Sequence, residues 1–432
     1  MSDLPREWVQ ASLARVCDII LGQSPPGSTY NLVGEGMPFF QGKAEFGVRF
    51  PTAVKWTTAG GKRARFGDVL LSVRAPVGPT NLAPYDCVIG RGLAALRPGA
   101  HLDSAYLLWA LRNSAGVLAQ VATGSTFAAV TGDQVRTHTI NLPPLAEQRR
   151  IVEAIEALFS RLDAADSSLR NAQVRLARLR ATALEQIVLT QAPRAFIADI
   201  LQRNRKAAYG VLQPGRHVPE GVPLVRVSDV QDGQVRIDGL KHVSPGVAAQ
   251  YPRTRLTGGE VLVTIVGTIG RAAVVPTSLA GGNVARAVAV LPVNDRVVPE
   301  FLALFLNAPS IRLSLNNLAH EVARKTLNLE DVRRISFPLP ELSRQHALVD
   351  MISARISAYN AAVADVDHTV RRSASLRTTV LDAAFTGRLV GQGPRDEPVS
   401  LPAVPINGDA RSGTRGARRQ TLTASQAVSS LE

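Results

Sequence analysis

Cysteine is almost absent from this 432-residue chain. Cys17 and Cys87 are the only two, which excludes a disulfide framework and a cysteine-ligated zinc site and fits a reducing compartment. Long apolar runs are missing as well. No stretch approaches the 18 or more apolar residues of a membrane span, and the start, MSDLPREW, has no apolar signal core. The expectation is a cytoplasmic protein with no membrane partner. The seven histidines, at 101, 138, 217, 242, 320, 346 and 368, show no ligand spacing, so no metal role is assigned. No G-x-x-x-x-G-K-[ST] loop exists. Gly42-Lys43-Ala44 comes nearest but lacks the hydroxyl that would hold Mg²⁺. Gly267-Thr268-Ile269-Gly270 has no further glycine and no helix pattern behind it, so it reads as a turn.

Acidic residues are in deficit, 35 against 49 Lys and Arg, for a net charge of +14. That excess points to an anionic partner such as nucleic acid. With 45% hydrophobic residues the chain can bury real cores, while 34 Gly and 27 Pro indicate many turns. At roughly 150 residues per domain the length suggests about three units.

The sequence repeats itself. Leu142-Pro143 matches Leu339-Pro340, Gln148 matches Gln345, Arg175 matches Arg372 and Leu184 matches Leu381, each pair 197 residues apart. Upstream the offset drifts: Gly67-Asp68-Val69-Leu70 lies 192 residues before Gly259-Glu260-Val261-Leu262, and Arg91 lies 195 before Arg286. Insertions are tolerated in surface loops and not in a packed helical seam. Each copy is therefore a globular segment followed by a segment of fixed length.

The fixed-length segments read as long helices. Ile151, Ile155, Leu158, Leu162, Ala165, Leu169, Ala172, Leu176, Leu179 and Ala183 recur at steps of four and three. Val349, Ile352, Ile356, Tyr359, Val363, Val366, Val370 and Val380 follow the same rule, interrupted by Ser373 and Arg377, and stop signals come at Pro193 and Gly387. Such a helix extends ~65 Å, and the domain between the two lets them pair antiparallel. The globular segments carry short apolar strands bounded by Gly or Pro, around 68–73, 261–266 and 287–291. One short helix interrupts each, Ser104 to Arg112 and Pro299 to Leu306.

The expected fold is α+β: two mostly-β domains separated by two long helices forming an antiparallel coiled coil, with a pseudo-twofold internal repeat. The boundaries read as 1–145 and 193–340 for the domains, 146–192 and 341–390 for the helices, and 391–432 for a disordered tail with no aromatics and few apolar residues. The domains hold most of the charge excess, with 13 basic and 9 acidic residues in the first and 18 and 11 in the second; each helix segment carries only +1. A collective bias of that kind favours phosphate binding.

Residues beside turns with the right chemistry for a nucleic acid are Gln41, Lys43, Arg49, Lys62, Arg74, Arg91, Ser125 and Thr126 in the first domain. In the second they are Arg226, Ser228, Arg253, Arg255, Arg271, Arg286, Arg324 and Lys325. Arg pairs with guanine through two donors and Gln with adenine, whereas Ser, Thr and Lys more often position phosphates. Arg91 and Arg286 are the best matched pair.

The pattern resembles the specificity subunit of type I restriction-modification systems over about 390 residues. The resemblance rests on GDVLLSVRAPVG and GEVLVTIVGTIG, on the junction INLPPLAEQRRIV and its counterpart ISFPLPELSRQHALV, on the heptad helices and on the helix end LRTTVLDAAFTGRLV. The second junction departs from the pattern, with Ser343-Arg344 where the first has Ala146-Glu147. The resemblance implies two target recognition domains, each reading half of a bipartite site on double-stranded DNA. It also implies that the helices set the spacer and dock two methyltransferase subunits, with restriction subunits completing the complex. The Asn/Asp-Pro-Pro-aromatic signature of adenine methyltransferases is missing: Ser24-Pro25-Pro26 is followed by Gly27 and Pro143-Pro144 by Leu145. The chain is expected to be non-catalytic and to bind no cofactor, with S-adenosylmethionine, ATP and Mg on partner subunits. The alternatives are a structural coiled-coil adaptor without DNA readout and an autonomous DNA-modifying enzyme.

Overall fold

The computed structural model describes residues 4–122, 128–321, 325–393 and 396–401. Two compact units emerge: Met1–Ala164 with Ser373–Glu432, and Ala165–Arg372. Each contains one globular domain and parts of both long helices.

The helices span Leu145–Val188 and Leu342–Phe385. No proline or glycine interrupts either, and the second ends on Gly387 at φ +74°, where Arg388 N–H donates to the Ala383 carbonyl at 2.8 Å. In the second unit the two run antiparallel, since Gln173 donates to Asp367 at 2.9 Å while Arg355, twelve residues before it, donates to Gln186 at 2.8 Å. In the first unit Arg377 donates to Asp163 and stacks over Phe159, so the polar interruption of the heptad is filled by a partnered guanidinium. Three seam positions fall elsewhere than expected, since Ala165, Leu179 and Val370 are all exposed. Leu179 is 65% exposed, and Arg180 occupies the inner face instead, over the Tyr359 ring.

The two domains share one frame. In the first, a four-stranded antiparallel sheet is ordered Cys17–Leu21, Leu93–Pro98, Val69–Ser72, Thr80–Leu82. The second repeats it as Ala208–Tyr209, Val288–Leu291, Val261–Thr264, Ala272–Val274. The central strands are buried on both faces, which is why they read as continuous apolar runs rather than alternating ones. A second sheet in each domain contains a parallel pair: Met37–Phe40 with Cys87–Ile89, and Val222–Val225 with Asn283–Val284. The short helices lie at Ser104–Asn113 and Pro299–Leu306.

Both repeated sequence signatures have structural causes. Gln148 is fully buried; its amide donates to the carbonyls of His101 and Pro143 and its oxygen accepts from Asp103 N–H, all at 2.8 Å. Gln345 repeats the network with Arg296, Pro340 and Val298. Each glutamine thus ties the start of a long helix to the segment leading into the short one. The acid of Gly-Asp/Glu-Val-Leu is buried beneath its own turn: Asp68 accepts from Arg65 N–H and Arg97, Glu260 from Thr257 N–H and Arg205. Where the junctions differ, Glu147 is buried and accepts from the Trp8 indole at 3.1 Å. Its counterpart Arg344 is exposed.

The segment expected to be a tail from 391 is in part held in place. The Asp396 side chain is 4% exposed and ion-paired to Arg150, and Val399 and Leu401 lie against the first unit's core. Residues 402–432 lie outside the described ones. Gly267 and Gly270 take positive φ in the turn between Val261–Thr264 and Ala272–Val274, and Gly270 N–H donates to the Thr264 carbonyl. Both cysteines are free and buried, which pushes both thiols up, that of Cys87 to about 12.

Candidate nucleic-acid interface

In each domain the parallel strand pair delivers polar side chains to one end. Phe40 pairs with Ile89 and Val225 with Val284. The next residues on the first member are Gln41 and Arg226; two residues beyond the second member come Arg91 and Arg286. Four of the sixteen candidates are therefore brought together in two equivalent places. Lys43 and Ser228 sit in short 3-10 turns just after the first strand of each pair. Lys62 joins the first-domain group, since its carbonyl accepts from Ile89 N–H at 2.9 Å.

Electrostatics separates the candidates further. Gln41, Lys43, Lys62, Arg74 and Arg91 are exposed, and among the described residues no carboxylate lies within ion-pairing distance of the four cations. Arg49 is engaged elsewhere: its guanidinium bonds Glu156 on the first long helix at 2.6 Å. In the second domain Arg226 forks onto buried Asp229 at 2.8 and 3.0 Å. Burial alone would raise the Asp229 carboxyl, but hydrogen bonds from the Arg226 side chain and backbone outweigh it and hold it below the ordinary range. Ser228 also donates to Asp229. Arg271 faces Asp232 at 4.0 Å, alongside Arg180 at 2.9 Å and Arg312 at 3.3 Å. Arg253, Arg255 and Arg286 are exposed with no carboxylate partner among the described residues. Lys325 is half-buried on a separate hairpin with His320–Glu321. Ser125, Thr126 and Arg324 lie outside the described residues.

One exposed cation beside the first group escaped the sequence reading. Arg63 pairs in register with Val88 on the strand that leads to Arg91. Its own strand is two residues long, too short for any alternation to mark it.

The model of the type I restriction modification DNA specificity domain matches this chain twice, over residues 5–170 and 199–362. The chain belongs to that family. Among named relatives, the EcoBI specificity subunit of a type I restriction enzyme from Escherichia coli is 31% identical over 308 residues, 64% of this chain and 65% of the relative. The chain thus spans a little under two thirds of that protein. The putative MjaX specificity subunit from Methanocaldococcus jannaschii is 38% identical over 161 residues, 37% of this chain and 38% of its own length. A chain from a structure of a type I R-M system superposes with a TM-score of 0.75 at 21% identity, covering 89% of this chain and 99% of the other. The HsdS subunit from Thermoanaerobacter tengcongensis gives 0.59 at 19%, covering 89% and 98%. These structures share the α+β fold. Among the described residues no helix is long and apolar enough to cross a membrane, and no three His, Cys, Asp or Glu side chains gather as a metal site.

Proposed function

We propose that this chain is the non-catalytic specificity subunit of a type I restriction-modification complex in the cytoplasm. Each domain reads one half of a bipartite site on double-stranded DNA. The long helices fix the number of base pairs left untouched between the halves and dock two methyltransferase subunits, and restriction subunits join that assembly. S-adenosylmethionine, ATP and Mg²⁺ act on the partner subunits. The observation that carries this reading is one sheet frame built twice with different side chains at the same exposed end, Gln41 in the first domain and Arg226 in the second. A common frame with divergent tips is what reading two different half-sites requires, because base edges and not phosphates carry sequence. The names of the relatives, specificity subunits in each case, support it.

The test is a domain exchange. Replacing residues 1–145 with the same region of a relative, and reconstituting with the methyltransferase partner, is expected to change one half of the methylated sequence and leave the other unchanged. A chimera that altered both halves would overturn the reading, as would methyl transfer from S-adenosylmethionine by the highly purified chain alone.

A further inference from the structure

The turns that present Arg91 and Arg286 are the same turn. Gly90 N–H donates to the Phe40 carbonyl at 2.8 Å, and Ala285 N–H to the Val225 carbonyl at 2.9 Å. Leu93 N–H closes onto the Gly90 carbonyl and Val288 N–H onto that of Ala285, both at 2.9 Å. The residue after each arginine then accepts from the residue just past the neighbouring central strand: Gly92 from Val73 at 3.0 Å, Ala287 from Ile265 at 2.9 Å. Even the arginine N–H groups are held, by the Ser24 hydroxyl at 3.3 Å and the Val211 carbonyl at 2.9 Å. In the first domain there is no space for a larger residue, since a Cβ on Gly92 would stand 2.6 Å from the Gln41 carbonyl oxygen.

The surroundings of this turn have diverged. Gln41 stands where the second domain has Arg226, and the sheet around it has five strands in one domain and three in the other. Against that divergence, what the two copies keep in common is an exposed arginine with no carboxylate partner among the described residues, on a backbone fixed by three matched hydrogen bonds.

Resting on the reading that the chain binds DNA, we propose that Arg91 and Arg286 are equivalent phosphate anchors, one per half-site, and not base readers. Two half-sites of different sequence share the sugar-phosphate backbone and nothing else. A side chain common to both domains therefore serves the backbone, and discrimination falls to positions that differ. A guanidinium that no described carboxylate engages keeps its full charge and fork for a phosphate. Arg226, locked to Asp229, offers less of either.

The experiment measures binding of the full-length chain to a random-sequence duplex and to a duplex carrying its methylated site, from 50 to 200 mM salt. It compares wild type with Arg91→Ala, Arg286→Ala and Arg91→Lys, with thermal melts as a folding control. Each alanine variant is expected to weaken binding to both duplexes alike and to lower the salt slope by about one. The fourfold salt increase then costs about threefold less affinity per arginine removed. Arg91→Lys, which keeps the charge, should retain the slope. A folded variant with an unchanged slope and altered preference at one half-site would overturn the proposal in favour of base reading. Binding indistinguishable from wild type on both duplexes would overturn it outright. Failure of the wild-type chain to bind either duplex would instead overturn the DNA-binding reading itself.

Discussion

Set side by side, the two domains brace against the long helices with opposite signs. The first reaches out with Arg49 to Glu156 on the first long helix; the second reaches out with Asp232 to Arg180 on the same helix. The loops that do this are equivalent in the frame, each lying beside the strand at Thr80 or Ala272. In the first, Gly47 exchanges two hydrogen bonds with Asn81; in the second, Gly233 N–H donates to the Ala272 carbonyl. A single repeated fold therefore accepts either polarity at this contact, whereas the Gln148 and Gln345 networks are identical. The difference separates what the frame requires from what it tolerates. A buried amide that satisfies three backbone groups has no substitute of opposite sign. A half-exposed ion pair contributes little and can be inverted when both partners change.

The largest test of that contrast is removal of the glutamines. Gln148→Ala leaves two carbonyls and one N–H unsatisfied at the start of the first long helix, a cost of roughly 3 kcal/mol. Gln345→Ala should do the same in the second unit. Hydrogen exchange resolved by peptide should show each loss confined to its own unit; uniform loss would contradict the division.

Within the helices, Ile155→Ala, at a fully buried seam position, should cost about 3 kcal/mol by denaturant unfolding. Leu179→Ala should cost under about 1 kcal/mol, since the side chain is mostly in water already. Equal losses would mean that Leu179 belongs to the seam after all.

Acid should separate the units next. Asp229 and Glu260 in the second unit are held below their ordinary values, because hydrogen bonds outweigh burial at each. Their contribution is complete above the unfolded pKa and disappears as pH falls through the lowered ones. In the first unit burial pushes Glu147 up against the bond from Trp8, so it favours the folded state below the unfolded value and opposes it above the raised one. Asp396 goes down, held by its bond to Arg150. On acidification below the ordinary carboxylate range the second unit should therefore weaken first. Exchange rates rising first in the first unit would reverse this assignment.

The braces come last. Asp232→Ala frees three arginines and is expected to cost about 1 kcal/mol, and Arg49→Ala about 0.5 kcal/mol or less. The double exchange Arg49→Glu with Glu156→Arg should recover the stability of wild type in thermal melts. A double variant no better than either single one would show that the pair contributes nothing.

Much of this architecture was legible in the sequence, and for a physical reason. Strands such as Val69–Ser72 and Val261–Thr264 are buried on both faces, so composition alone marks them, and a fixed 197-residue register survives only where helices pack. The parallel strand pairs were not legible, because Met37–Phe40 and Cys87–Ile89 are nearly fifty residues apart and nothing local encodes their meeting. That meeting is what singles out Gln41 and Arg91 among the candidates. Arg49 misled for a related reason: a lone arginine in a loop looks available until the helix bearing Glu156 is placed beside it. Leu179 misled because counting apolar steps overlooks a guanidinium placed over the Tyr359 ring. The packed end of the segment after 391 was hidden by its composition, since one buried carboxylate and two aliphatic side chains are too few to stand out.

The second unit is a continuous stretch of chain, Ala165–Arg372, while the first needs Ser373 onward to be complete; Ala384 and Phe385 belong to its core. During synthesis, at 5–20 residues per second, the domain made first thus cannot be finished until the last long helix has left the ribosome. For that interval Trp8, Tyr106 and Ile155 wait with one wall of their core missing, and a ribosome stalled before residue 373 would release a chain whose later domain is whole and whose earlier one is not.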